Sequence, residues 1–153
     1  MHEPYDWARL NHLQIGRYAE YYVKMAVTLH AYEVYTAEVD DHGIDFIMRR
    51  GRSSFLEVQV KSVRDLGYIF LTKSKCELRD TLLVAVVLFR QHVPPDLFLI
   101  PSTSWRHPNA LLASRDYVGK QSPPEWGINL SAKNLPLLEP YRLDTVMAGL
   151  PSA

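Results

Sequence analysis

Leu13, Ile15, Tyr18, Ala19, Tyr22, Val23, Ala26, Val27 and His30 recur at three- and four-residue steps. That spacing puts them on one side of an α-helix and predicts a helix over residues 12–30, with Asn11 as its cap. The period then shortens. Residues 32–37 alternate weakly and read as a short edge strand. Asp40-Asp41-His42-Gly43 reads as a turn. Residues 44–49 and 55–62 alternate as strands around Arg50-Gly51-Arg52-Ser53, a hairpin with a glycine-bearing loop. Asp65-Leu66-Gly67 breaks the pattern before another short strand at 68–71.

Residues 74–80, opened by Ser74, read as a short helix. Residues 82–89 form a continuous apolar run rich in valine, as expected of a strand covered on both faces. Pro94-Pro95 turns the chain into a second apolar strand at 96–100, which Pro101 ends. Beyond it the pattern is less regular: a loop at 102–108, a short helix at 109–114, a strand at 128–130, and partial helix over 135–150 limited by Pro136 and Pro140. Trp105 and Trp126 are expected to pack this later segment onto the sheet. Helix, three strands, short helix, two strands and a C-terminal addition predict an α/β domain with a mixed central sheet. The division expected is one domain over residues 1–153, with a core at about 12–101 and an addition at about 102–153.

Composition narrows this further. The chain has 153 residues, 47% of them hydrophobic, enough for one domain with its own core. Its formal net charge is +0, so no whole-molecule field favours nucleic acid, and any such case rests on a local patch. Charge is uneven: Arg49, Arg50, Arg52, Lys61, Arg64, Lys73 and Lys75 crowd the middle, while Glu33, Glu38, Asp40 and Asp41 precede them. Cys76 is the single cysteine, so no intrachain disulfide forms, which fits a reducing cytoplasm. The first residues, from Met1 and His2 on, are polar and lack a signal-peptide core, and the run at 82–89 is too short to span a bilayer. No membrane role is expected.

The chemistry concentrates in Gly43-Ile44-Asp45-Phe46 and Val58-Gln59-Val60-Lys61-Ser62. Strand side chains alternate, so Glu57, Gln59 and Lys61 share one face while Leu56, Val58 and Val60 take the other. An aspartate between Ile44 and Phe46 is a costly place for a charge without a partner. A carboxylate, oxygen donors and a lysine on one sheet face suit a divalent cation and a phosphate. Arg49, Arg50, Arg52, Ser62 and Arg64 flank them and could hold phosphates without reading sequence. As plain structure, the same arginines would solvate a hairpin, Lys61 would snorkel at a strand end and Glu20 would be an exposed helix residue.

With Ile15-Gly16-Arg17-Tyr18-Ala19-Glu20 on the helix, these segments resemble the PD-(D/E)xK nuclease superfamily over roughly residues 13–100. The variant they are similar to has Gln in place of the second acid, as in Mrr-like restriction endonucleases and related bacterial domains; archaeal Holliday-junction resolvases look similar in their first half. The resemblance implies a restriction-endonuclease-like core sheet flanked by helices, a Mg²⁺- or Mn²⁺-dependent endonuclease (a hydrolase), and DNA as partner. It also allows a homodimer whose two sites cut two strands. It implies that Asp45 ligates the metal, with Gln59 or the Val60 carbonyl completing the protein's share. Lys61 would orient or deprotonate the attacking water, Glu20 would close the end of the site, and Ser62 would touch phosphate. Gln59 removes one negative charge from the family pattern; Glu57, one strand repeat away, is the residue that could compensate as a metal ligand. Two rivals follow: a catalytically inactive nuclease-fold domain binding nucleic acid or a protein, and a small partner-binding protein whose contact surface begins at Ser102.

Overall fold

The computed structural model describes residues 3–38 and 42–150. Met1, His2, Asp40 and Asp41, named above for the polar start, the acidic run and the turn, lie outside the described residues.

Helix α1, His12–Leu29, begins at a reciprocal cap. The Asn11 side chain accepts from the Gln14 N–H at 2.9 Å, and the Asn11 N–H donates to the Gln14 side chain at 2.8 Å. Two of the donors that a helix start leaves unpaired are thus satisfied. Ile15, Ala19, Val23 and Val27 form its buried stripe, one turn apart. Ala31, at a φ of 66°, turns the chain into β1, Glu33–Tyr35.

The central sheet runs β1-β2-β3-β5-β6, with β2 at Phe46–Arg49, β3 at Leu56–Arg64, β5 at Leu82–Phe89 and β6 at Asp96–Pro101. Only the β3–β5 pair is parallel, so the sheet is mixed, as expected. Every residue of β5 is buried because both faces of the sheet are covered. Leu83, Ala85, Val87 and Phe89 pack with Phe46, Met48, Val58 and the α1 stripe. Leu82, Val84, Val86 and Leu88 point the other way, into a second core. Each such side chain removed from water contributes about 1.5–3 kcal/mol, so β5 anchors both layers.

That second core is closed by a smaller antiparallel sheet in the order β4-β8-β7: Gly67–Thr72, Glu125–Leu130 and Leu112–Arg115. Trp105, fully buried, donates its indole N–H to the Gly127 carbonyl at 3.0 Å and packs among Ile69, Leu71 and Ile128, as expected of it. The chain ends in short helices α2, Leu135–Leu138, and α3, Leu143–Gly149, separated by a single turn that holds Pro140.

Two expected helices are corrected. Residues 74–80 hold only a 3₁₀ turn at Lys73–Lys75. The Cys76 carbonyl accepts from the Trp126 indole at 2.9 Å, and Ser102 Oγ accepts from the Arg79 N–H at 3.0 Å and donates to the Arg79 carbonyl at 2.8 Å. These groups would otherwise have closed helical turns. Residues 109–114 instead enter β7: Asn109 Oδ1 accepts from the Leu111 and Leu112 N–H groups at 2.9 and 2.8 Å, a side-chain turn that launches a strand. Among the described residues no helix is long and apolar enough to cross a membrane.

Candidate active site

β2 pairs with β3 only from Leu56 to Val58. Where β2 ends, Asp45 takes over. Its N–H donates to the Val58 carbonyl at 2.9 Å, and its carboxylate accepts from the Val60 N–H at 2.6 Å. The carboxylate thus replaces the next rung of the ladder, satisfying a backbone donor that would be expensive to leave unpaired. Past that rung, β3 is paired on the β5 side alone.

The parallel register settles the face of the three polar residues of β3. Glu57, Gln59 and Lys61 lie beside Leu82, Val84 and Val86, on the side of the second core. All three share a face, as alternation predicted, but their surroundings separate them. Gln59 is 6% exposed, and its Oε1 is buried and accepts no hydrogen bond among the described residues. Gly43, at a φ of 77°, closes over it: a Cβ there would stand 3.3 Å from Gln59 Nε2 and 3.3 Å from the Lys75 carbonyl oxygen. A glycine is needed for both reasons, the left-handed backbone and the close approach.

On one side of Gln59, Glu57 lines a cleft with His42, Ile44, Ser74, Lys75, Glu77 and Arg79. There its Oε2 accepts from Arg79 Nε at 2.7 Å and from the Thr81 hydroxyl at 3.3 Å. On the other side, Lys61 and Ser62 line a second cleft with His12, Tyr68 and Phe70, and Lys61 forms no ion pair with the described residues. Lys61 also lies within electrostatic reach of Cys76. Cys76 is fully buried, and burial pushes its thiol up to about 11 against the opposing pull of Arg79 and Lys61.

Glu20 belongs to α1, which covers the opposite sheet face, and it pairs with Arg17 at 2.9 Å. The flanking arginines have local employment. Arg49 stacks over the Phe55 ring at 4.3 Å. Arg50 covers Tyr32 at 4.9 Å and donates to the His30 and Leu150 carbonyls. Arg64 donates to the Trp7 carbonyl at 3.3 Å. Arg52 is exposed at the hairpin tip. That tip is several residues of strand, about 15 Å or more, from the Asp45 end of β2. Two residues that sequence reasoning left out now border the lysine, His12 and Phe70. The alternation Ile69-in, Phe70-out, Leu71-in was the signal for Phe70.

Among the described residues no group of three His, Cys, Asp or Glu side chains could hold a metal ion. The Asp45 carboxylate holds the Val60 N–H, one residue along β3 from the unpartnered amide oxygen of Gln59. Mg²⁺ commonly takes one or two carboxylates and keeps several waters.

No protein-family model matches the chain, and no curated protein matches it by sequence. Among solved structures it is similar to Hjc of Archaeoglobus fulgidus, a Holliday junction resolvase from an archaeal hyperthermophile. The TM-score is 0.56 at 14% identity, over 87% of this chain and 95% of that one. At such identity the likeness is one of fold. With its five-stranded mixed sheet, covered on one face by α1 and on the other by the smaller sheet, the chain shares the restriction-endonuclease-like α/β fold of that protein.

Proposed function

We propose that this protein is a divalent-metal-dependent phosphodiesterase acting on DNA, an endonuclease-like domain of the Gln-x-Lys kind. The observation that carries the reading is Gln59 Oε1, buried without a donor beside the Asp45-capped end of β2, on a resolvase-like fold. An oxygen so placed costs about 1–3 kcal/mol unless something occupies it.

In this reading Asp45, Gln59 Oε1 and the Val60 carbonyl hold Mg²⁺ or Mn²⁺. The bound metal supplies charge against the phosphate oxygens and acidifies a coordinated water. Lys61 would orient the attacking water through its ammonium and offset charge on the phosphate. The Ser62 hydroxyl donates to a neighbouring phosphate oxygen. Arg52 and, further along the hairpin, Arg49 and Arg50 would meet the DNA backbone, with Arg64 at the far end of β3. Glu20 acts from the helix rim, and Glu57 joins only if it leaves Arg79. A homodimer would present two such sites to two strands, and the single buried thiol suits a reducing, cytoplasmic compartment.

The second reading, an inactive nuclease-fold domain that binds nucleic acid or a protein partner, is favoured by one observation. Arg79 and Thr81 hold Glu57 by hydrogen bonds, which takes it from the ligand set. Asp45→Asn separates the two, because its amide oxygen can still accept from the Val60 N–H. The expected outcome is Mn²⁺ binding by calorimetry in the parent with DNA present, lost in Asp45→Asn, and cleavage reduced by about 10³-fold with the melting temperature nearly unchanged. A parent that neither binds Mn²⁺ nor cuts supports the inactive domain.

A further inference from the structure

The cleft holding Lys61 has two unusual walls. One is the half of β3 from Val60 to Arg64, paired on the β5 side alone. The other is β4, paired with β8 alone. Asp65, at a φ of 57°, swings the chain from one sheet into the other, so the two strands diverge and leave a cleft of about 400 Å³ between them. That is the size range of small-ligand sites.

The lining combines two chemistries. Lys61, Ser62 and His12 line it, and among the described residues no carboxylate does, whereas the Glu57 cleft carries two glutamates. Phe70 presents an aromatic ring that is 55% exposed, since its neighbours Ile69 and Leu71 are committed to the core. The rest of that wall is held firmly. The Tyr68 hydroxyl donates to Glu125, the Arg115 guanidinium stacks on the Tyr68 ring at 4.2 Å, and Gly127 leaves room for the ring, since a Cβ there would stand 2.1 Å from the Tyr68 oxygen. Burial and the neighbouring Glu125 push the Tyr68 hydroxyl well above its ordinary range, so it stays protonated and in place.

An anion with a flat apolar face fits such a cleft. We propose that it is a subsite for an unpaired nucleotide, with the phosphate at Lys61 and the base stacked on Phe70. Inside a duplex both faces of a base are taken by its neighbours, so an aromatic ring can stack only on a base that is single-stranded, flipped or at an end. The subsite rests on the phosphodiesterase reading of Lys61 and narrows its substrate: nucleic acid with unpaired residues beside the phosphate that Lys61 holds, rather than continuous duplex.

The test is fluorescence anisotropy with labelled oligothymidylate and a labelled duplex of equal length, at low salt in EDTA, so that no cleavage intervenes. The parent is expected to prefer the single strand. Phe70→Ala should weaken single-strand binding by about ten-fold or more while leaving the duplex unaffected. Phe70→Leu, which keeps apolar bulk without a π-face, should lose most of the same affinity. Tyr21→Ala, which removes an exposed aromatic on α1, should lose none, and melting curves exclude misfolding. Single-strand binding that survives both Phe70 substitutions overturns the subsite and leaves Lys61 as a phosphate contact. Equal affinity for the duplex also overturns it. Absence of binding to either DNA overturns the subsite and, where it persists with Ca²⁺ in place of EDTA, the phosphodiesterase reading as well.

Discussion

Glu57 and Lys61 stand on one face of one strand, four residues apart, yet they occupy different surroundings. Glu57 lies where β3 is paired on both sides and the segment 73–81 crosses in front of it; Arg79 and Thr81 reach it at 2.7 and 3.3 Å. Lys61 lies where β2 has ended and the second sheet has turned away, and its cleft offers it no counter-charge. Gln59, buried under Gly43 and Lys75, stands between the two on the strand. Alternation along a strand fixes which way a side chain points, but the segments that cross the strand decide what it meets. Glu57 is bonded to Arg79 and Thr81, whereas Lys61 forms no ion pair with the described residues.

The hardest blow to this contrast is a charge at position 59. Gln59→Glu would bury a carboxylate at a position 6% exposed. The metal-free protein should lose about 2–4 kcal/mol in denaturant melts, and Mn²⁺ should return part of it by binding only the folded state. An unchanged midpoint with no metal response would mean that position 59 tolerates a charge and holds no cation.

A pH series sharpens the enclosed side. Cys76 has an ordinary thiol pKa of 9.0, raised to about 11 by burial. Below pH 9 the thiol is protonated in both states and its contribution is fully present. Between pH 9 and 11 the unfolded chain releases the proton and the folded chain keeps it, so stability falls as pH rises, by on the order of 2 kcal/mol in all. Cys76→Ala should flatten that part of the stability–pH profile.

The smallest expected effect concerns the ion pair itself. Both partners are partly exposed, so Arg79→Ala should cost about 0.5–1 kcal/mol. Its value lies in a second readout. Released from Arg79, Glu57 becomes available to a cation, and Mn²⁺ affinity measured by calorimetry should rise. No rise would mean that Thr81 and the strand backbone suffice to keep Glu57 out of the metal's reach.

Much of this was legible in the chain. The Asn11 cap, the α1 stripe, the β2–β3 hairpin and the fully covered β5 all follow from short-range periodicity and capping chemistry, which the local sequence carries. The shared face of Glu57, Gln59 and Lys61 was equally readable. The second sheet was not. Residues 109–114 have good helix formers in Ala110, Leu111 and Leu112, and become strand because β8 offers a partner in register. Residues 74–80 give up a helix because Trp126 and Ser102, remote in sequence, take their backbone groups. Those distant segments also separate Glu57 from Lys61, so the division of the polar row was invisible for the same reason. Asp45 was singled out as a charge needing a partner, but its hydrogen bond to Val60 depends on where β2 stops, which periodicity does not mark.

The register of β4 with β8, from Gly67 against Leu130 to Thr72 against Glu125, has a consequence for how the molecule is made. The helix, the central sheet and most of its first core are encoded before Pro101, whereas the strand that roofs the second core comes later, at residues 125–130. A growing chain therefore carries Ile69, Leu71, Leu82, Val84 and Val86 as an uncovered apolar sheet surface until residues 125–130 have left the ribosome. Pairings so distant in sequence form slowly, and uncovered apolar strands associate with one another in the meantime. The interval between translating β6 and translating β8 is thus when this apolar surface is barest.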